Sequence, residues 1–97
     1  MNTLGNIQEK NNFSQTEKHI IRIITKTISL EGMEVGEFSR LVDDLHLNSS
    51  DTYEVFMNLE TDFGIDIPNF MSKNVSIKNL ADYIDATLKR HMANKSK

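Results

Sequence analysis

The chain has 97 residues, of which 38% are hydrophobic and 26% charged, and its formal net charge is −3. This length predicts a single domain, near the lower limit for folding without a metal or disulfide. The absence of cysteine excludes a disulfide framework and cysteine-ligated zinc. Because no apolar run is long enough for a membrane span and the polar N-terminus lacks a signal-peptide core, we expect a cytoplasmic protein without membrane insertion.

Charge divides the sequence into three zones. Residues 1–40 carry five acidic and five basic side chains, and residues 73–97 carry two acidic and six basic ones. Residues 41–72 carry seven carboxylates and no Lys or Arg. Such a block repels the phosphates of nucleic acid, so we expect no nucleic-acid binding. It predicts a partner with a basic surface instead.

The first helix is predicted from Thr16 to about Ser29, after a loose polar arm at residues 1–13. Ser14 and Glu17 have the spacing of a capping box. Five isoleucines leave a strand as an alternative, but polar residues recur at helical steps and favour a helix. Residues 30–40 contain two glycines and predict an irregular loop whose apolar residues pack on the core, namely Met33, Val35 and Phe38.

The central helix is predicted over residues 49–63. Its apolar stripe follows three- and four-residue steps through Thr52, Val55, Phe56, Leu59 and Phe63. Asn48, with Asp51 three residues later, is a helix-start signal. Gly64, followed by Pro68, is a stop signal.

The last main helix is predicted to open at Ser76, after a single helical turn at residues 69–73. Its apolar face comprises Ile77, Leu80, Ala81, Ile84 and Leu88. Residues 89–97 predict a basic flexible tail. The fold class is therefore all-α, a small helical bundle of three main helices plus one short helix, over residues 14–88.

The pattern over roughly residues 14–88 resembles the acyl carrier protein family of phosphopantetheine-binding carrier domains. The resemblance rests on Asp44-Leu45, Ser49, Asp51, Glu54, Leu59-Glu60, Phe63 and Ile67-Pro68, followed by Ser76-Ile77 and Leu80-Ala81-Asp82-Tyr83-Ile84. It implies that Ser49 carries a covalent 4′-phosphopantetheine arm, taken from coenzyme A, whose thiol holds acyl groups as thioesters. It also implies a monomeric carrier without catalysis of its own, serving fatty acid, polyketide or related lipid synthesis.

The resemblance further implies that the central helix docks on enzymes with basic surfaces. These are the phosphopantetheinyl transferase and the acyl-loading, condensing or acyltransferase enzymes. The candidate partner contacts are Asp44, Asn48, Ser50, Asp51, Tyr53, Glu54, Met57, Glu60 and Asp62. Tyr53 and Met57 lie off the apolar stripe, so partner contact and peripheral core are both open for them.

Three positions depart from the family pattern. Asn48 and Ser50 stand where the family has Asp and Leu beside the serine, and His46 replaces the usual Gly. We therefore expect a specialised member of the family. The alternative is an unmodified helical interaction module that binds a basic protein surface and carries no cofactor.

Metal binding and catalysis have little support in the sequence. His46 with Asp43 and Asp44 is a weak candidate for a metal site or general base, since no further His lies nearby in the sequence. A calcium loop starting at Asp44 would need Gly at position six and Glu at position twelve, where Ser49 and Val55 stand. No hydrolase, Walker or zinc-protease motif occurs.

Overall fold

The computed structural model describes residues 12–68 and 73–95, with side chains described up to residue 92. Within these ranges the chain forms three α-helices and no β-strand: α1 Gln15–Thr27, α2 Ser49–Phe63 and α3 Ile77–Lys95. The all-α prediction is confirmed for this part of the chain. Most of the predicted arm at 1–13, and all but the last residue of the short turn predicted at 69–73, lie outside the described residues.

Helix α1 begins with the predicted capping box. The Ser14 hydroxyl accepts a hydrogen bond from the Glu17 N–H at 3.1 Å, and the Glu17 carboxylate accepts one from the Ser14 N–H at 2.8 Å. Ile20, Ile23 and Ile24 are buried at three- and four-residue steps. This spacing places them on one face of a helix, so their burial outweighs the low helix propensity of isoleucine.

The core lies between the three helices and draws side chains from all of them and from the loops. Helix α1 packs against both α2 and α3. The buried apolar side chains are Ile20, Ile23, Ile24, Leu41, Leu45, Leu47, Val55, Phe56, Leu59, Ile65, Ile67, Ile77, Leu80, Ala81 and Ile84. Burial of the larger of these side chains, from valine to phenylalanine, stabilises the fold by about 1.5–3 kcal/mol each before the cost of ordering the chain.

The loop between α1 and α2 contains one clear departure from prediction. Met33 and Val35 pack against the core as predicted. The prediction for Phe38 is wrong, because its side chain is 69% exposed. Its neighbours in the turn are bonded to the start of α3: the Lys78 N–H donates to the Glu37 carbonyl at 2.7 Å, and the Ile77 N–H donates to the Ser39 carbonyl at 3.0 Å. The backbone is thereby fixed with Phe38 facing solvent.

Helix α3 is longer than predicted. It continues to Lys95, into the segment that was predicted as a flexible basic tail at 89–97. The sequence contains no Gly or Pro after Pro68 to stop it, and Lys and Arg interact favourably with the negative end of a helix dipole. None of the helices in the described ranges is long and apolar enough to cross a membrane.

Candidate functional site

Ser49 is the first residue of α2, and its side chain is exposed. The N-cap is Asn48, whose side-chain oxygen accepts from the Asp51 N–H at 2.8 Å. The Asp51 carboxylate accepts in turn from the Asn48 N–H at 3.2 Å. Because this reciprocal cap uses neither the hydroxyl nor the N–H of Ser49, both remain unbonded to any described residue.

The position of Ser49 suits an attached phosphate. The first N–H groups of a helix have no partner within the helix, and the helix dipole adds positive potential at the same place. Both effects favour an anion at an N-terminus. The serine hydroxyl is thus accessible for esterification, and the backbone around it stabilises the phosphodiester that would result.

The segment before α2 is a tight turn over residues 41–45, held by backbone and side-chain hydrogen bonds. The Asp44 carboxylate accepts from the Arg40 N–H at 2.8 Å. His46 closes the turn with a left-handed backbone, φ 65°, and its N–H donates to the Val42 carbonyl at 3.0 Å. Asp44, a predicted partner contact, is exposed, and its carboxylate also stabilises this turn.

Asn74 holds the same turn from the opposite side, which sequence reasoning missed. Its side-chain oxygen accepts from the Val42 N–H at 3.0 Å and from the Asp43 N–H at 2.9 Å. Its amide donates to the Asp43 carboxylate at 3.0 Å. An Asn in a polar loop gives no local signal of this contact, which joins positions more than thirty residues apart.

The predicted partner contacts on α2 fall into two groups. Asn48, Ser50, Tyr53, Glu54, Met57 and Asp62 are exposed, whereas Asp51 and Glu60 are half-buried. Tyr53 is 61% and Met57 is 45% exposed. The structure therefore excludes Tyr53 and Met57 from the core and leaves them available to a partner.

Two of the acidic side chains have structural contacts within the chain. The Glu60 carboxylate accepts from the Ile67 N–H at 2.7 Å and so fixes the segment that follows α2. Asp62 lies 2.8 Å from the imidazole of His19 and connects the end of α2 to α1. Glu54 makes no such contact with the described residues. Within the predicted acidic face, Glu54 is therefore a candidate for docking, whereas Glu60 and Asp62 also stabilise the fold.

A small cleft lies between α2 and the segment that follows the helix. Its volume is about 60 Å³, and its lining is Tyr53, Phe56, Met57, Glu60, Ile67, Pro68 and Lys73. Tyr53 lies one helical turn after Ser49 on the same side of α2. The cleft therefore begins close to the serine and is bordered by the two exposed apolar side chains.

Three known proteins similar to this chain are acyl carrier proteins. An acyl carrier protein occurs in two strains of Porphyromonas gingivalis, ATCC 33277 and W83. Each is 31% identical over 77 residues, which cover 78% of this chain and 99% of the relative. The acyl carrier protein of Helicobacter hepaticus is 31% identical over 72 residues, covering 73% of this chain and 95% of that protein. No family model matches the chain.

The chain belongs to the acyl carrier protein family. Its departures from the pattern of acyl carrier proteins have visible consequences in the structure. Asn48 caps α2 through its side-chain oxygen, as an aspartate would, but without the charge. Ser50 places a small exposed side chain where the family pattern has an apolar one. His46 adopts a left-handed conformation that glycine adopts at lower cost, which explains the glycine of the family pattern.

Proposed function

We propose that this chain is an acyl carrier protein that holds acyl groups as thioesters on a 4′-phosphopantetheine arm attached to Ser49. The observation that carries the proposal is the exposed hydroxyl of Ser49 at the first position of α2, unbonded to any described residue, in a member of the acyl carrier protein family. The arm supplies the thiol that forms the thioester. The chain itself contains no cysteine that could exchange with that thioester.

Attachment of the arm is a phosphoryl transfer at the Ser49 oxygen. The hydroxyl oxygen forms a new bond to the phosphorus next to the pantetheine in coenzyme A. The pyrophosphate bond breaks, adenosine 3′,5′-bisphosphate leaves, and the serine proton passes to a base of the transferase. The chain contributes an accessible oxygen and a helix N-terminus that stabilises the phosphodiester product.

Presentation of the arm to enzymes depends on α2. Glu54 and Asp51 give its first half a negative surface, and Tyr53 and Met57 add exposed apolar area beside them. A basic enzyme surface complements both features, through steering by charge and burial of the apolar side chains. The proposed partners are accordingly the phosphopantetheinyl transferase and the acyl-loading, condensing or acyltransferase enzymes, and the chain has no catalytic role of its own.

The alternative function is an unmodified interaction module that binds a basic surface through the same face of α2. Its basis is the pair of departures that flank Ser49, namely Asn48 and Ser50. The two functions differ in the mass of the protein isolated from its native cell. A phosphopantetheine adduct on Ser49 supports the carrier, and its absence in every growth condition supports the module.

A further inference from the structure

Phe38 is the most exposed of the large apolar side chains in the described part of the chain, at 69%. Its two neighbours in the turn, Glu37 and Ser39, accept hydrogen bonds from the first residues of α3. A second pair of bonds closes the turn on itself: the Ser39 N–H donates to the Gly36 carbonyl, and the Gly36 N–H donates to the Ser39 hydroxyl at 2.9 Å. Hydrogen bonds on both sides of Phe38 therefore fix the backbone from which the exposed ring projects.

The turn that presents Phe38 is continuous with the segment leading to Ser49. Val42, 37% exposed, follows Phe38 by four residues. The Leu47 N–H donates to the Leu41 carbonyl at 3.0 Å, so the residues just before α2 lie directly against those around Val42. Val42 therefore lies near the N-terminus of α2, and the turn that carries Phe38 adjoins it along the chain.

The charges around these two side chains are of both signs. Asp43, Asp44 and Arg40 are exposed beside Val42 in the chain. Lys73 is exposed next to Asn74, whose side chain accepts from the Val42 N–H, and the Lys78 N–H donates to the carbonyl of Glu37 beside Phe38. A partner that fits this surface has an apolar pocket with a charged rim. An aromatic side chain with a fixed backbone suits such a pocket, because it buries a large area with little loss of conformational freedom.

We propose that Phe38 and Val42 form an apolar contact for the phosphopantetheinyl transferase that modifies Ser49. This inference rests on the proposed function. The transferase must cover the helix N-terminus to reach a serine oxygen, so its surface also covers the adjoining loop. Enzymes that act later react at the thiol, at the far end of the arm from the Ser49 oxygen.

The test is the steady-state kinetics of arm transfer from coenzyme A by the transferase of the source organism, followed by intact mass. The variants are Phe38→Ser and Val42→Ser. Loss of an aromatic anchor at an interface typically weakens association about tenfold. We expect the KM for the carrier to rise about tenfold in Phe38→Ser and severalfold in Val42→Ser, with kcat unchanged. Because the contact is apolar, the same ratio should persist in high salt.

Met92→Ser is the matched control. Met92 is 68% exposed but lies on α3, about 21 Å along the helix from the residues that bind the Phe38 turn. The KM for Met92→Ser should equal that for the unsubstituted protein. Phe38→Leu, which keeps apolar area, should recover most of the affinity.

Three outcomes would overturn the inference while leaving the carrier function standing. These are an unchanged KM in both serine variants, a lowered melting temperature in Phe38→Ser that reveals a structural role, and a concentration-dependent dimer that Phe38→Ser dissociates. The last would mean that a second copy of the chain occupies this surface. If the unsubstituted protein is never modified at Ser49, the proposed function itself fails.

Discussion

Asn48 and Asp51 cap α2 reciprocally, each side chain accepting a hydrogen bond from the other residue's backbone N–H, at 2.8 and 3.2 Å. This arrangement leaves the intervening Ser49 hydroxyl unbonded to the described residues. Asn48 therefore caps the helix as the aspartate of the family pattern would. It differs in lacking the negative charge beside Ser49.

Removal of the Asn48 side chain should destabilise the protein. Asn48→Ala leaves the Asp51 N–H without its acceptor, and loss of an N-cap costs about 1 kcal/mol. Urea unfolding followed by circular dichroism should show this decrease in the free energy of unfolding. Asn48→Asp keeps the acceptor and should differ from the parent by less than about 0.5 kcal/mol. Equal losses in both variants would contradict the cap.

Glycine at position 46 should stabilise the protein. His46 has φ 65°, and the left-handed region costs a residue with a side chain about 1–2 kcal/mol. Glycine avoids that cost but loses more conformational entropy on folding, so His46→Gly should raise the free energy of unfolding by about 0.5–1 kcal/mol. His46→Ala is the control, because it removes the imidazole and keeps the strained backbone. A gain in stability with alanine would attribute the effect to the imidazole.

Alanine at position 64 should destabilise the protein. Gly64 ends α2 with φ 66°, and a Cβ built there meets no atom within 4 Å. Gly64→Ala therefore adds backbone strain without a steric clash, and we expect a loss of about 1 kcal/mol by urea unfolding. A loss of several kcal/mol would mean that the chain around Gly64 is packed more closely than the structure shows.

Glu60 and Glu54 should differ in their effect on stability although both belong to the predicted acidic face. Glu60→Ala removes the acceptor for the half-buried Ile67 N–H and should cost about 1–2 kcal/mol. Glu54→Ala should change the free energy of unfolding by less than about 0.5 kcal/mol. Glu60→Gln retains an acceptor and should recover most of the loss. Equal effects at positions 54 and 60 would contradict the structural role of Glu60.

Charge reversal at Glu54 should slow partner enzymes. Glu54→Lys should reduce kcat/KM for arm transfer severalfold at low salt, and the difference should shrink as salt screens surface charges. Asp82→Lys, an equal charge change on the exposed face of α3, is the control and should have a much smaller effect. An equal effect of the two variants would assign the change to net charge instead of a docking face.

The period of apolar residues and the capping signals were sufficient to predict most of the fold. They placed α2 at its observed bounds, from the Asn48 cap to Gly64, and α1 within two residues of its observed ends. These signals act over a few positions in the sequence. The candidate serine was also visible, because its position relative to the acidic and apolar residues of α2 resembles a known family pattern.

Contacts between distant positions were not predictable. The bond from the Ile67 N–H to Glu60 and the His19–Asp62 pair involve polar side chains whose helical position indicates only a solvent-facing surface. Asn74 lies in a turn, where a polar residue gives no signal of a contact with residues 42 and 43. The outward position of Phe38 depends on bonds from α3 to its neighbours. The length of α3 was underestimated because a basic composition was interpreted as a flexible tail, although nothing in that segment stops a helix.

The most direct test of the carrier function is the intact mass of the protein after incubation with coenzyme A, magnesium and a phosphopantetheinyl transferase. We predict a gain of one phosphopantetheine that is absent in Ser49→Ala, with Ser50→Ala as the neighbouring control that still gains it. No gain in the parent protein, with a broad-specificity transferase and with that of the source organism, would contradict the carrier function. Retention of the gain in Ser49→Ala would place the arm on a different residue.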